Sequence, residues 1–483
     1  MQPGPDRSSI AGASRGDIAA RVDVASRGDV ASRGDVPSPL VNRLPAVDER
    51  AVMPAGFRAA GLACGIKPSG RPDLALLATL DGPLAAAAVF TRNTVVAAPI
   101  RLSQAHLNAT EIGGGGRFGW VDGVVATAGS ANAATGPEGD ADQEELGRAV
   151  AALLDTTPER TLALSTGIIG VRLPMPQVCD GLARLAALLE PTGAGLEAFA
   201  TAIMTTDTKV KLATTSVELP GPDGKAANVI VSGVAKGVGM IHPRMATMLS
   251  VIVTDASASP ATLFGLLSPA VQRTWNQTSV DGDTSTNDTV FLLASGASKA
   301  GAVAAASPEA QILGRAIEAV ARSLSRQQAA DGEGATTLIT CQVSGAADDY
   351  DARAIARSVV SSSLLKAAVH GRDPNWGRVA SAAGNARLPD EQLLEAAGLH
   401  HTEAMPRAGR SPELEVARLH IAIAGTLVFA GTPLPFDRDA VRAAMDVPEV
   451  LIRLDLGLGG GTGEAFGCDL TEGYVIENAE YTT

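Results

Sequence analysis

After the first 50 residues, short aliphatic runs alternate along the chain with longer stretches in which apolar residues recur every three or four positions. The short runs favour buried strands and the longer stretches favour helices. Because the two alternate without a regular βαβ repeat, we expect an α/β (α+β) fold of layered sheets covered by helices. The predicted strands are Leu74–Leu80, Ala85–Thr91, Val121–Thr127, several within Lys209–Thr254, Thr289–Ala294, Ala335–Val343 and Leu414–Ile423. The predicted helices are Ala141–Leu154, Gln177–Leu189, Gly195–Met204, Ala261–Trp275, Pro308–Ala329, Asp351–His370, Glu391–Ala397 and Asp437–Met445.

Residues 1–50 have a different pattern. The tetrapeptide SRGD begins at Ser14, Ser26 and Ser32, and an altered copy, ARVD, begins at Ala20. A repeat with so few aliphatic positions cannot bury enough surface to offset the chain entropy lost on folding. We therefore predict a disordered, low-complexity tail over 1–50.

Composition and charge narrow the class of protein. Aromatic residues make up 3% of the 483 residues, so the core must be packed from Ala, Val, Leu and Ile. The net charge of −13 argues against a nucleic-acid or anionic-membrane partner. No apolar run reaches the ~20 residues that span a bilayer. Four widely spaced cysteines fit free thiols of a cytoplasmic protein better than disulfides or a zinc site.

The segment AKGVGMIHPRMATML, residues 235–249, joins a Gly-rich loop to a predicted strand. Its two glycines and Pro243 indicate irregular backbone, so Thr247 is expected where the loop enters the strand. A strand-edge threonine is one interpretation. The other is a nucleophile, because a threonine at the head of a chain can use its own α-amine, with a pKa of about 8, as the base.

Thr247 becomes N-terminal only if the Ala246–Thr247 bond is cut. Its hydroxyl can attack the Ala246 carbonyl in an N-to-O acyl shift, and hydrolysis then separates the two chains. A small alanine and a flexible Gly-rich approach favour the strained turn that this step requires.

Other polar, Gly-rich segments also end predicted strands or helices. STGIIG puts Thr166 and Gly167 at a strand end, where a hydroxyl and a backbone N–H can meet an oxyanion. IMTTDT begins its threonine run at Thr205, and DGEGATT holds Glu333 between two glycines. Each segment also fits an ordinary turn or helix end. The acidic segment 280–290 misses the EF-hand spacing and is predicted to be a structural turn.

Together these segments resemble the ornithine acetyltransferase family, the bifunctional glutamate N-acetyltransferase/amino-acid acetyltransferases of arginine biosynthesis. The resemblance covers about residues 53–483. It rests, in the family's order, on STGIIG, IMTTDT, KGVGMIHPRMATML, DGDTSTND, DGEGAT, GRDPNWGR, FGCDL and NAEYTT. It implies a self-cleaving, N-terminal-nucleophile-like fold related to aminopeptidases. It also implies an α chain over 51–246 and a β chain over 247–483, with a C-terminal subdomain from about residue 345.

The resemblance also assigns roles to individual residues. It makes Thr247 the nucleophile, with cleavage at Ala246–Thr247, and makes Thr166 and Gly167 the oxyanion hole. The implied substrate-binding residues are Thr205, Lys236, Thr247, Glu333, Asn478 and Thr483. A cation at Lys236 suits a substrate carboxylate, and Glu333 is expected to meet an α-amine.

The implied reaction moves acetyl from N-acetylornithine to glutamate through an ester on Thr247. It implies no metal and no organic cofactor, with acetyl-CoA as a second donor if the enzyme is bifunctional. The implied assembly is an α2β2 heterotetramer.

Some positions depart from the family pattern and keep alternatives open. This chain has Thr127 where the family usually has Asn, Thr337 where it usually has Lys, and Glu477 where it usually has Ile. A paralogous acetyltransferase of secondary metabolism is one alternative. A self-cleaving amidase or aminopeptidase, which would pass the acyl group to water, is another. A non-catalytic binding protein that acts through its RGD tail is the third.

Overall fold

The computed structural model describes residues 44–242 and 248–480. Most of the predicted tail, the predicted cleavage site at Ala246–Thr247, and Thr483 lie outside the described residues. Residues 44–50, which the sequence-based division assigns to the tail, are described. There the backbone of Asp48 forms an antiparallel bridge with Thr214, with both N···O distances at 2.8 Å.

Strands in the described part form three sheets. The first has the order β1-β2-β5-β6, the second β4-β3-β11-β9-β8-β7, and the third β10-β16-β12-β15-β13-β14. The bounds are β1 Phe57–Leu62, β2 Leu74–Thr79, β3 Leu84–Phe90, β4 Phe118–Val121, β5 Gly123–Ser130, β6 Thr161–Ile168, β7 Lys211–Pro220, β8 Ala226–Lys236, β9 Leu249–Thr254, β10 Thr278–Ser279, β11 Thr289–Ala294, β12 Leu338–Ala346, β13 His420–Ile423, β14 Thr426–Ala430, β15 Glu449–Asp455 and β16 Gly461–Cys468.

Helices cover the outer faces of these sheets. Their bounds are α1 Ala98–Thr110, α2 Gly136–Leu154, α3 Met175–Leu185, α4 Gly193–Ala202, α5 Pro260–Arg273, α6 Pro308–Ala330, α7 Asp349–Val360, α8 Ser363–His370, α9 Trp376–Gly384, α10 Glu391–Ala396, α11 His401–Arg407, α12 Arg438–Ala444 and α13 Glu472–Glu480. None of these helices is both long enough and apolar enough to cross a membrane.

The first two sheets pack face to face between two helical layers. In β9, Val251 and Val253 join the core shared with the first sheet, whereas Ile252 joins the core under α5 and α6. The outer face of the first sheet packs against α2 and α3. Both faces of β9 are buried, so its sequence is mostly apolar without regular polar alternation, as is usual for an interior strand, and its two hydroxyl residues, Ser250 and Thr254, are buried as well. The layered α/β fold expected from the sequence is thereby confirmed.

The third sheet packs on α7, α8 and α9 around a separate core. The sequence predicts one helix over Asp351–His370, but the structure breaks it between α7 and α8. Ser362 causes the break, because its hydroxyl accepts a hydrogen bond from the Leu365 N–H and caps a new helix. The predicted strand Leu414–Ile423 is also too long, since only His420–Ile423 pairs with a neighbour.

Candidate active site

The ends of strands from two sheets meet where β9 begins. Thr166 lies near the end of β6 in the first sheet, and Lys236 is the last residue of β8 in the second. The Lys236 ammonium donates a hydrogen bond of 2.8 Å to the Thr166 hydroxyl oxygen, and both side chains are buried. Lys236 also lies opposite Leu249, the first residue of β9. The contact therefore lies beside the start of β9, two residues after position 247.

Gly167 follows Thr166 in a backbone conformation that requires glycine. Its φ is +129°, and a Cβ there would collide with the carbonyl group of Gly129 on the neighbouring strand β5. The register between β5 and β6 shifts at this point. A side chain at residue 167 would therefore force the two strands apart and move Thr166.

Two buried side chains fix the strand that carries Thr166. The Asn287 amide donates to the backbone oxygens of Ser165, at 2.8 Å, and Ala131, at 2.6 Å. Thr127 shares a hydrogen bond of 2.8 Å with the Ser165 hydroxyl. Thr127 stands where the family usually has Asn, so threonine also provides a polar contact at this position. The segment around Asn287, predicted to be a structural turn, thus also supports the site.

Glu333 brings together three separate parts of the chain. Its carboxylate accepts hydrogen bonds from the Thr206 hydroxyl, at 3.0 Å, and from the Asn478 amide, at 2.9 Å. Its backbone N–H donates to Val238, just after Lys236. A Cβ on Gly239 would overlap the Glu333 carboxylate, so the glycine-rich loop provides the space that this side chain occupies.

Thr205 contributes through its backbone. Its N–H donates to Asp207 at 3.0 Å, and its carbonyl accepts from the Arg71 guanidinium at 2.9 Å. Its hydroxyl makes no hydrogen bond to another described residue. In the described structure, therefore, Thr206 rather than Thr205 contacts Glu333.

A buried ion triad lies beneath the site, and the sequence analysis did not identify it. The Lys211 ammonium is fully buried and contacts Asp207 at 2.7 Å and Asp331 at 2.6 Å.

Both carboxylates of this triad also bind neighbouring segments. Asp207 accepts a hydrogen bond of 2.8 Å from the N–H of Gly237, the residue after Lys236. Asp331 accepts from both the N–H and the hydroxyl of Thr208, and it lies two residues before Glu333. The triad thus joins the loops that carry Thr206, Lys236 and Glu333.

Burial and neighbouring charges together set the pKa values of the ionisable groups in this network. Burial alone would raise the pKa of the Asp207 carboxyl, but the ammonium groups of Lys211 and Lys236 outweigh burial and lower that pKa to about 2. Burial lowers the pKa of the Lys236 ammonium, and the Asp207 carboxylate offsets part of this effect. Burial also lowers the pKa of Lys67 to about 8, with a further contribution from Arg71. The nearby charges thus favour ionised Asp207 in this buried site.

Three other motifs have structural roles in the described chain. Asp281 accepts backbone hydrogen bonds from Met240, Ile241 and Asp283, which anchors the loop before residue 243. Asp469, in FGCDL, accepts from the N–H groups of Thr336 and Thr337 and so fixes the turn after Glu333. In GRDPNWGR, Trp376 stacks on Phe429 with the ring centroids 4.8 Å apart.

Ala246, Thr247 and Thr483 lie outside the described residues, so their predicted roles remain predictions.

Among the described residues, one group has potential metal ligands close together. Ligand atoms of Glu391, Glu395 and His401 lie within 4.8 Å of one another. The His401 Nδ1 atom contacts both carboxylates, at 2.6 and 2.7 Å, so direct contacts among the three side chains explain the cluster. This group contains none of the predicted site residues.

Comparison with known proteins relates most of the chain to one family. The model of the ArgJ family matches residues 58–483. The arginine biosynthesis bifunctional protein ArgJ of a Synechococcus species is 44% identical over 439 residues, which cover 89% of this chain and 96% of that protein. The ArgJ protein of Thermus thermophilus is 41% identical over 431 residues, covering 89% of this chain and 99% of that protein.

Solved structures with matching segments include ornithine acetyltransferase complexed with ornithine from Mycobacterium tuberculosis. It is 39% identical, with a TM-score of 0.37, and the match covers 42% of this chain and 99% of that chain. The ArgJ structure from Bacillus halodurans is 35% identical, with a TM-score of 0.40, and the match covers 47% of this chain and 95% of that chain.

Proposed function

This chain belongs to the ArgJ family, and we propose that it transfers an acetyl group from N-acetylornithine to glutamate in arginine biosynthesis. The observation that carries the proposal is the 2.8 Å contact between Lys236 and Thr166 beside the start of β9. Thr247 precedes that strand by two residues in the sequence. A buried ammonium, a hydroxyl and the Glu333 carboxylate near this point suit an amino-acid derivative that carries both charges.

Maturation is proposed to begin with cleavage between Ala246 and Thr247. The products are an α chain that ends at Ala246, with its predicted domain over 51–246, and a β chain from 247 to 483, which assemble as α2β2. The new α-amine of Thr247 then takes the proton of its own hydroxyl. Cleavage is supported by the sequence around Thr247 and by family membership.

In the first half-reaction, the Thr247 hydroxyl oxygen attacks the acetyl carbonyl of N-acetylornithine. Thr166 and the backbone N–H of Gly167 stabilise the oxyanion. The C–N bond breaks, ornithine leaves with a proton on its amine, and the acetyl group remains as an ester on Thr247. The Lys236 contact supports this role for Thr166, because the lysine donates to the threonine oxygen and leaves the threonine proton free to donate.

Substrate recognition is divided between two charges. Lys236 binds the α-carboxylate of the substrate, and Glu333 binds the amine of ornithine or of glutamate as acceptor. Asn478, Thr205 and Thr483 complete the pocket. The contact between Asn478 and Glu333 supports this division, because the amide orients one carboxylate oxygen and leaves part of the carboxylate for the ligand.

In the second half-reaction, the glutamate amine attacks the ester carbonyl, the C–O bond to Thr247 breaks, and the proton lost by the amine returns to the Thr247 oxygen as N-acetylglutamate leaves. Acyl transfer through an ester requires no metal and no organic cofactor, and acetyl-CoA serves as a second donor if this member is bifunctional. We place the reaction in the cytoplasm. The four cysteines, which are free thiols in the structure, fit a reducing compartment.

The test combines intact mass spectrometry with an acetyl-transfer assay on the full-length protein and on Thr247→Ala. Wild-type protein should give two chains that divide at Ala246/Thr247 and should transfer acetyl from N-acetylornithine to glutamate. The variant should remain one chain and be inactive. Thr426→Ala, in β14 of the third sheet, is the matched control and should behave as wild type.

Other outcomes would overturn the proposal in different ways. A single uncut wild-type chain would remove Thr247 as an N-terminal nucleophile. Release of acetate at the same rate with and without glutamate would indicate a hydrolase. Cleavage together with transfer to a different amine would indicate a paralogue with another acceptor.

A further inference from the structure

The chain is fixed on both sides of the segment that carries the predicted cleavage bond. After that segment, the Met248 carbonyl accepts a hydrogen bond of 2.8 Å from the Thr289 N–H, and β9 begins at the next residue. Before it, a short loop, residues 240–242, is bound to residues 279–284, here called the anchor. These two fixed points set where the chain enters and leaves residues 243–247.

Asp281 makes the charged contacts of the anchor. Its carboxylate accepts hydrogen bonds from the backbone N–H groups of Met240 and Ile241, the second at 2.9 Å. A third hydrogen bond, of 3.0 Å, comes from the Asp283 N–H within the anchor itself. Hydrogen bonds to an ionised acceptor are stronger than those between neutral groups. One side chain therefore holds two successive residues of the loop.

Three further contacts join the loop to the anchor. The Val280 N–H donates to the Ile241 carbonyl at 2.7 Å, and the Thr284 hydroxyl donates to the His242 carbonyl at 2.9 Å. The Nδ1 atom of His242 lies 3.0 Å from the Ser279 hydroxyl. Each residue of the loop is therefore bound to the anchor through its backbone.

The anchored loop has a strained backbone and adjoins the candidate active site. Met240 has a φ of +54°, in the left-handed region that is unfavourable for a residue with a side chain. Gly239, one residue earlier, lies so close to the Glu333 carboxylate that a Cβ there would overlap it. Strained conformations persist only where the surrounding contacts impose them. The Asp281 carboxylate, which binds the Met240 N–H, supplies such a contact.

A buried lysine of α8 holds the anchor in turn. The Lys366 ammonium donates to the backbone carbonyls of Ser279, Val280 and Cys468, at 3.0, 2.9 and 2.9 Å. Cys468 ends β16, which pairs with β10 at the start of the anchor. The lysine therefore ties the anchor to the third sheet, so the loop is held against a sheet and not against another loop.

We propose that Asp281 is a positioning residue for self-cleavage: it fixes the chain before residue 243 so that Thr247 can attack the Ala246 carbonyl. This role rests on the proposed function, because it requires cleavage at that bond. In the step, the Thr247 oxygen bonds to the carbonyl carbon, the peptide C–N bond breaks, and the hydroxyl proton goes to the freed amine. Water then hydrolyses the ester. A chain held at both ends loses less conformational freedom on reaching this geometry, which lowers the barrier.

The test follows self-cleavage of the full-length chain by intact mass spectrometry at successive times after cell-free synthesis. Asp281→Asn should slow cleavage by at least about tenfold, because the amide turns a donor towards one of the backbone N–H groups. Thr284→Val, which removes the hydrogen bond to the His242 carbonyl, should slow it by roughly fivefold. Asp283→Asn is the matched control. It makes the same change at an exposed carboxylate that has no hydrogen bond to another described residue, and it should be cleaved at the wild-type rate.

Two more variants separate positioning from a general loss of stability. Asp281→Glu keeps both acceptor oxygens, so it should be cleaved faster than Asp281→Asn. Arg407→Met breaks the ion pairs with Asp348 and Asp351, far along the chain from the anchor. It should lower the melting temperature and leave the cleavage rate unchanged.

The outcomes distinguish this inference from the proposed function. A wild-type chain that stays uncut would overturn both. If wild type is cleaved, and Asp281→Asn and Thr284→Val are cleaved equally fast, the positioning role is wrong while the proposed function stands. Equal slowing in Asp281→Asn and Arg407→Met would also overturn the positioning role, because cleavage would then follow stability. Thr284→Val keeps the test independent of how well Asp281→Asn folds.

Discussion

The ammonium of Lys236 donates a hydrogen bond of 2.8 Å to the hydroxyl oxygen of Thr166. These residues are 70 positions apart in the chain and belong to different sheets. The contact orients the threonine, because an oxygen that accepts from an ammonium must direct its own proton elsewhere. On the proposed mechanism, that proton points to the oxyanion.

Thr166→Val should therefore lower kcat for acetyl transfer by about 10² to 10³. Valine keeps the shape of the side chain but removes the donor and leaves the Lys236 ammonium without this acceptor. Steady-state kinetics on cleaved protein measure the effect. Thr161→Val changes a threonine at the other end of the same strand and should leave kcat unchanged. Equal kcat for Thr166→Val and wild type would rule out the oxyanion role.

Gly239→Ala should lower kcat/KM by roughly 10- to 100-fold, because the added Cβ displaces the Glu333 carboxylate from its hydrogen bonds. Self-cleavage should continue, and mass spectrometry can check it. Gly265→Ala is the control, since a Cβ at that position of α5 meets open space. A Gly239→Ala enzyme with wild-type kcat/KM would show that Glu333 does not bind substrate in this position.

Lys211→Met should reduce the free energy of unfolding by roughly 3–5 kcal/mol, because it leaves the buried carboxylates of Asp207 and Asp331 without their cation. Urea unfolding measures the change. Arg372→Met breaks an exposed pair with Asp446 and should cost at most about 1 kcal/mol. Equal losses in the two variants would contradict a structural role for the triad.

Acid should destabilise the protein partly through Asp207. Its pKa is about 2 in the folded chain, below the ordinary value of 3.8 for an aspartate. The stabilisation is therefore fully present above about pH 4 and is lost as the pH falls towards 2, with a total of about 2 kcal/mol. Urea midpoints between pH 5 and pH 2 measure it. Asp207→Asn should flatten this dependence, whereas Asp223→Asn, at an exposed turn, should not. An unchanged slope in Asp207→Asn would contradict the low pKa.

Local sequence patterns predicted many elements of the described fold. The strand Thr289–Ala294 has the predicted bounds, and the long helix from Pro308 ends one residue beyond its predicted end.

The sequence pattern does not predict the helix Ala98–Thr110, because buried Ser103 and His106 interrupt its apolar face. These polar side chains bond to backbone oxygens of β6, a tertiary contact that a local pattern does not reveal.

The candidate site was only partly predictable. Lys236, Glu333 and Thr166 stand in distinctive Gly-rich motifs, and the structure brings these residues and Asn478 into one network. Lys211 was missed because a charged residue at the start of a strand usually faces solvent. The acidic residues Asp207, four positions before Lys211, and Asp331, two before Glu333, were the available signal.

By itself, the sequence determined the layered α/β class, the family and the residue types of the site, because apolar periodicity and short Gly-rich motifs are local properties. Only the tertiary structure decided that Lys236 meets Thr166, that Thr206 contacts Glu333, and that Lys211 joins two loops through Asp207 and Asp331. It also decided that Asp281 and Lys366 fix the loop that precedes residue 243. Contacts between distant segments depend on how sheets and helices pack, and no local pattern specifies that packing.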